Sequence, residues 1–166
     1  MDKTLYETPF LSLKQRQNYI YVHESRSDGK LVALLVYDSS RPDVVLGRYE
    51  ICPAHGDTSP QLAAITGGVE KGTTPVEAAL KELWEEAGYC ADAVDLEPLG
   101  EVCPSKAADT RMYLYAFDAY GKVQQAATGD GSAYEQGAYC QWVTKKQAIW
   151  CADPLLATMI ARHACP

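Results

Sequence analysis

Residues 67–89 read GGVEKGTTPVEAALKELWEEAGY, a glycine-rich loop that runs directly into a short helix carrying Glu82, Glu85 and Glu86. The helix limits are written in its caps. Thr74 is a good N-cap, Glu77 stands three residues later as its capping-box partner, Pro75 takes the first helical position, and Gly88 is a natural stop. Together they predict a helix over 75–87. At about 100° per residue, Val76, Ala79, Leu80, Leu83 and Ala87 form one apolar stripe. Glu82 and Glu86 lie about 40° apart beside that stripe, with Glu85 and Lys81 on the outer side. Carboxylates three and four residues apart share a face and repel one another. A cation relieves that repulsion, and oxygen donors of this kind suit Mg²⁺ or Mn²⁺. A solvated charged face is the plainer reading of a Glu-rich helix; the glycine loop in front of this one favours a site.

Working outward, QNYIYVHE (17–24) and LVALLVY (31–37) are strand-like and flank a Ser27-Asp28-Gly29 turn, which predicts a hairpin. VVLGR (44–48) reads as a third strand. Residues 49–61, with two prolines and a His55-Gly56-Asp57 run, read as an exposed loop, and 62–65 lead into the glycine loop. Beyond the helix, 96–102 and 111–119 read as strands around a loop at 103–110. A long polar loop covers 121–137, a length that often marks function. A last strand covers 139–143, and 145–151 and 154–163 read as helical. Strands and helices in this order indicate α+β or α/β layers.

The 166 residues amount to one domain, 1–166, with room for a sizeable core. The chain is 47% hydrophobic and 22% charged, as ordinary globular proteins are. A net charge of −7 speaks against a nucleic-acid-binding surface, which wants a basic footprint. It leaves a small nucleotide open, because a metal can offset its charge. No apolar run approaches the roughly 18 residues of a membrane span, and MDKTLYETPF lacks the apolar core of a secretory signal. The six cysteines form no CxxC pair, which fits reduced thiols in a cytoplasmic protein.

The stretch 67–89 resembles the Nudix box, whose pattern is Gly, five residues, Glu, seven residues, Arg-Glu-aliphatic-any-Glu-Glu-any-Gly-aliphatic. Gly67, Glu82, Leu83, Glu85, Glu86 and Gly88 match in register. Lys81 stands in for the arginine, Tyr89 for the last aliphatic residue, and Thr73 for the first glutamate. The resemblance implies an α/β/α sandwich with a mixed sheet, preceded here by an N-terminal β-hairpin. It implies hydrolysis of a nucleoside diphosphate linked to another moiety, with Mg²⁺ or Mn²⁺ as cofactor. On this pattern Glu82 and Glu86, with Glu85, hold the metal, joined by the Thr66 carbonyl. Gly67 and Gly68 bring backbone close to the substrate. Glu85, or Glu135 from the long loop, is the candidate catalytic base, with Asp130 and Glu101 behind them. Glu70 is a further loop carboxylate, expected to be solvated.

A weaker resemblance, to ADP-ribose pyrophosphatases, rests on Gly100-Glu101-Val102-Cys103-Pro104-Ser105, followed by Asp109 and Arg111, and on the N-terminal hairpin. It implies ADP-ribose or a nucleotide sugar as substrate and a homodimer built through the hairpin. Arg48 and Arg111 are its candidate phosphate ligands; Tyr19, Tyr21, Tyr113 and Tyr115 are candidates to stack on a base or, more plainly, half-buried sheet residues. Two alternatives stay open: a nucleoside triphosphate pyrophosphohydrolase, and a catalytically weak domain that binds nucleotide as a sensor.

Overall fold

Residues 30–37, KLVALLVY, are apolar on both faces, a pattern that suits a strand covered on both sides. In the computed structural model, which describes residues 2–129 and 137–165, they are indeed the central strand. The elements are β1 (Lys3–Glu7), β2 (Leu11–Arg16), β3 (Tyr19–Glu24), β4 (Lys30–Tyr37), β5 (Val44–Glu50), β6 (Gln61–Ala63), β7 (Ile65–Gly68), α1 (Pro75–Ala87), β8 (Leu96–Val102), β9 (Arg111–Asp118), β10 (Tyr139–Thr144), α2 (Lys145–Trp150) and α3 (Pro154–Ala164). The main sheet runs β10-β5-β4-β9-β8, with β6 on β5 and β7 on β4. It is mixed, because β4 and β9 pair in parallel while β4 meets β5 and β7 antiparallel.

Side chains alternate across β4 and divide the core in two. Val32, Leu34 and Val36 pack with Ala79, Leu83 and Ala87 of α1. Ala33 and Leu35 pack with Ala148 of α2 and with Leu156, Met159 and Ile160 of α3. The result is the α/β/α sandwich. Fully buried Leu83, Leu156 and Met159 each contribute about 1.5–3 kcal/mol of burial. The caps of α1 form as its sequence dictates: Thr74 and Glu77 close a capping box, and Gly88 takes the left-handed conformation, φ 73°. Among the described residues no helix is long and apolar enough to cross a membrane.

One expectation is corrected. The strand 19–24 does not pair with 30–37 across the Ser27-Asp28-Gly29 turn. Both edges of β4 are already taken by β5 and β7 on one side and β9 on the other, so no edge remains for β3. Instead β3 pairs with β2 across a turn at Gln17 (φ 55°), and β1 adds to β2. The N-terminal hairpin therefore belongs to a separate three-stranded antiparallel sheet. Backbone bonds from Val22 N–H to Ala107 (2.8 Å) and from Asp109 N–H to Val22 (3.1 Å) fasten this sheet to the 103–110 loop. His23 Nδ1 adds a contact to the Asp109 carboxylate at 3.0 Å.

Candidate functional site

β7 delivers the glycine loop to the N-terminal half of β4, with Gly67 opposite Val32 and Gly68 opposite Leu31. Turn and capping box then start α1 directly behind it. The Glu82 side chain folds back against the loop so closely that a β-carbon on Gly67 would overlap its carboxylate. Glycine at 67 is therefore a requirement of the Glu82 position rather than of the backbone angles.

Glu82 and Glu85 open on a cavity of about 230 Å³. Gly68 and Glu70 of the loop and Lys81 of the helix form part of its wall. The β3–β4 connector supplies the rest through Glu24, Arg26 and Ser27. Glu24 accepts bonds from Ser27 N–H (2.8 Å), from Arg26 N–H (3.0 Å) and Nε–H (3.0 Å), and from the Ser27 hydroxyl. Burial opposes its ionisation, but these donors outweigh burial and hold the carboxyl below the usual range. A second cavity of about 550 Å³ adjoins the first, sharing Arg26, Ser27 and Glu70 and walled by Lys30, Lys71, Thr73, Pro75 and Tyr113.

Glu86 behaves differently from its two neighbours. It is 6% exposed and meets Arg48 Nη2 at 3.2 Å. Arg48, expected as a phosphate ligand, is itself 4% exposed and donates from Nε to Glu50 at 3.0 Å. Its guanidinium faces the carboxylates of Glu86 and Glu50. Burial works against its charge, yet Glu86 and Glu50 more than compensate and raise its pKa. Cys140 lies opposite Arg48 on β10 and donates to the Glu86 carbonyl at 3.2 Å. Burial pushes its thiol up to about 12, against the pull of Arg48.

Arg111, the other expected phosphate ligand, stands apart from this cavity. It pairs with Glu101 at 2.7 Å on the exposed surface of β9 and β8, and neither residue lines the glutamate cavity. Lys81 reaches back to Glu70 at 2.6 Å. That bond lowers the pKa of Glu70 and, reinforced by the charges of Glu85 and Glu82, raises that of the lysine. Thr66 sits in β7 opposite Ala33, one residue before Gly67. Tyr113 lines the larger cavity, whereas Tyr19 and Tyr21 line a different hollow beside Arg16 and Lys106. Glu135 and Asp130 lie outside the described residues.

Arg26, Ser27 and Glu24 were not legible as site residues. Glu24 reads as the end of a strand and Ser27 as the start of a turn, and only the pairing of β4 with β7 carries this connector beside the glycine loop. Among the described residues no three His, Cys, Asp or Glu side chains converge so as to hold a metal ion. Glu86 faces Arg48, and the Lys81 ammonium is paired with Glu70.

Comparison with known proteins places these features. The sequence model of the NUDIX domain family matches residues 27–163. A solved structure titled "Crystal structure of ADP compounds hydrolase" superposes with a TM-score of 0.68 at 15% identity, covering 99% of this chain and 90% of that one. No curated protein sequence matches the chain.

Proposed function

The chain belongs to the Nudix family of pyrophosphohydrolases, and on that premise we propose that it cleaves the pyrophosphate of a nucleoside diphosphate linked to a second moiety, ADP-ribose or a nucleotide sugar. The observation that carries the reading is the interlock of Gly67 with Glu82, which joins glycine loop and helix into one wall of a cavity that Glu85 also faces. The two adjoining cavities offer the volume typical of a small-molecule site.

Nudix hydrolases use divalent cations, and the donor chemistry here suits one: Glu82 and Glu85 present hard carboxylate oxygens to the cavity, which fit Mg²⁺ or Mn²⁺. Glu86, held from beneath by Arg48, and the Thr66 carbonyl complete the proposed set. Such an ion, when bound, neutralises phosphate charge and acidifies water. The chain's own groups bind and orient. Arg26 and Lys71 supply cationic contacts for phosphate, Tyr113 walls the larger cavity, and Glu85 is the proposed base within the described residues.

We also propose a homodimer through the N-terminal sheet. One face of that sheet buries Ser12, Tyr21 and His23, while the other exposes Leu11, Leu13, Ile20 and Val22 side by side. A second copy of the chain would cover this face, and light scattering on the intact protein reads its mass directly. The catalytic reading is tested with ADP-ribose, nucleotide sugars and nucleoside triphosphates in the presence of Mg²⁺ or Mn²⁺. Release of AMP or the matching nucleoside monophosphate is expected, and Glu82→Gln should abolish it. Saturable nucleotide binding with no turnover of any substrate would replace the hydrolase with a sensor.

A further inference from the structure

Lys71 stands at the corner of a tight turn. The Thr73 backbone N–H and hydroxyl both donate to the Glu70 carbonyl, at 3.1 and 2.8 Å, and so close residues 70–73. Gly72, the third residue of that turn, has φ 91°, the left-handed value that a type II turn requires there. Lys71 is thereby fixed in the wall of the cavity of about 550 Å³, together with Arg26, Lys30 and Tyr113.

The other charges of this wall have partners. Lys30 meets Asp28 at 3.9 Å, Glu70 takes the Lys81 ammonium at 2.6 Å, and Arg26 donates to Glu24 at 3.0 Å. Among the described residues Lys71 has no carboxylate partner. Tyr113 reaches the cavity from β9 and packs against the core beneath α1, which holds its ring in place. A cation without a partner beside a fixed aromatic ring suits a nucleoside monophosphate. The ammonium takes the phosphate, and the ring takes the base by a stacking contact that tolerates any base. We infer that the larger cavity is the subsite for the nucleoside monophosphate half of the substrate, with Lys71 recognising the phosphate and Tyr113 the base, and that it binds this half without a metal. The inference rests on the hydrolase reading of this same site and gives the substrate a direction. Arg26, which lines both cavities, then stands where the second phosphate passes from one to the other.

The test is equilibrium binding to the intact chain in EDTA, read by titration calorimetry. The ligands are AMP, GMP, CMP and UMP, with ribose 5-phosphate and the matching nucleoside as partial ligands. At least one monophosphate should bind saturably, and about fivefold or more tightly than ribose 5-phosphate, the least that a stacked base contributes. Lys71→Met should weaken that binding about tenfold, the low end for a hydrogen bond to a charged group, because the lysine is exposed. It should leave nucleoside binding as it was and flatten the salt dependence of monophosphate binding, and Lys71→Arg should retain both. Tyr113→Leu should weaken the monophosphates and spare ribose 5-phosphate. Lys146→Met, an exposed lysine of α2 across the sheet, should change nothing. No saturable binding of any monophosphate in EDTA, tighter binding of ribose 5-phosphate, or a Lys71→Met affinity no different from that of Lys146→Met overturns the inference. Lys71-dependent monophosphate binding in a protein that hydrolyses none of the substrates would sink the hydrolase reading and leave the subsite standing. Turnover in a protein that binds no monophosphate in EDTA would do the reverse.

Discussion

Arg48→Met removes the cation that faces Glu86 while keeping most of the buried volume. The two side chains are 5% and 6% exposed and 3.2 Å apart, so water can replace little of what is lost. Removing one partner of a buried pair costs about 3–5 kcal/mol, because the remaining charge stays desolvated. The Glu50 contact adds less, since that side chain is 38% exposed. For a chain of this size each kcal/mol moves the melting temperature by about 2–4 °C, which gives a fall of roughly 6–20 °C. Thermal melts at pH 8 and pH 5 supply a second check. Protonation relieves a carboxylate deprived of its cation, so the variant should lose less at pH 5. Adding Glu86→Gln to Arg48→Met should recover part of the loss, whereas Arg48→Lys should fall between, keeping charge without the guanidinium fork. A fall under about 2 °C at pH 8, small beside that range, would refute the claim that this pair anchors Glu86.

Gly67→Ala places a methyl group where the Glu82 carboxylate lies. Overpacking of this kind costs about 1–3 kcal/mol, and the displaced carboxylate should lower kcat by roughly 100-fold; unchanged turnover in a folded variant would contradict the interlock. Cys140 should resist alkylation at pH 8 in the folded chain while exposed Cys90, Cys103 and Cys165 react, and equal rates by mass spectrometry would show it is accessible. Its raised pKa, about 12 against 9.0, also fixes a sign: the stability it contributes is complete below pH 9 and is lost as pH rises toward 12. Denaturant melts should therefore show Cys140→Ala losing about 1.4 kcal/mol less than the parent protein between pH 8 and pH 10; parallel curves would show that the thiol is not the titrating group.

Local chemistry made α1 readable to the residue. Its caps, Thr74, Glu77, Pro75 and Gly88, all lie within one turn of the ends they define, so no tertiary information was needed. The layered fold followed from the two-sided apolarity of β4 and the stripe on α1, both periodic signals. Strand pairing was not readable in the same way. The Ser27-Asp28-Gly29 turn looks like a hairpin turn locally, and only competition for the edges of β4 decides against it. The exposed strand β1 and its neighbour β2 escaped notice because β1 buries no side chain and β2 only Ser12. Glu82 and Glu85, singled out by their spacing on α1, both line the smaller cavity. The partner of Arg48 was not readable, since Glu86 lies far along the chain and nothing near residue 48 announces that the guanidinium is buried. Arg26 was missed for the complementary reason: its neighbours form a turn, and its place beside the glycine loop depends on β4 meeting β7.

The distribution of charge gives these separate contacts a common logic. Three glutamates on one short helix repel one another, and the fold separates them. Glu86 is sunk beneath the helix onto Arg48, where a protein cation offsets it permanently. Glu82 and Glu85 stay on the cavity side, where Glu24 faces Arg26 and Glu70 faces Lys81. Four carboxylates thus meet two cations in that wall, and the lining is formally two units negative. A pyrophosphate would be repelled from such a lining, and one divalent cation matches the excess.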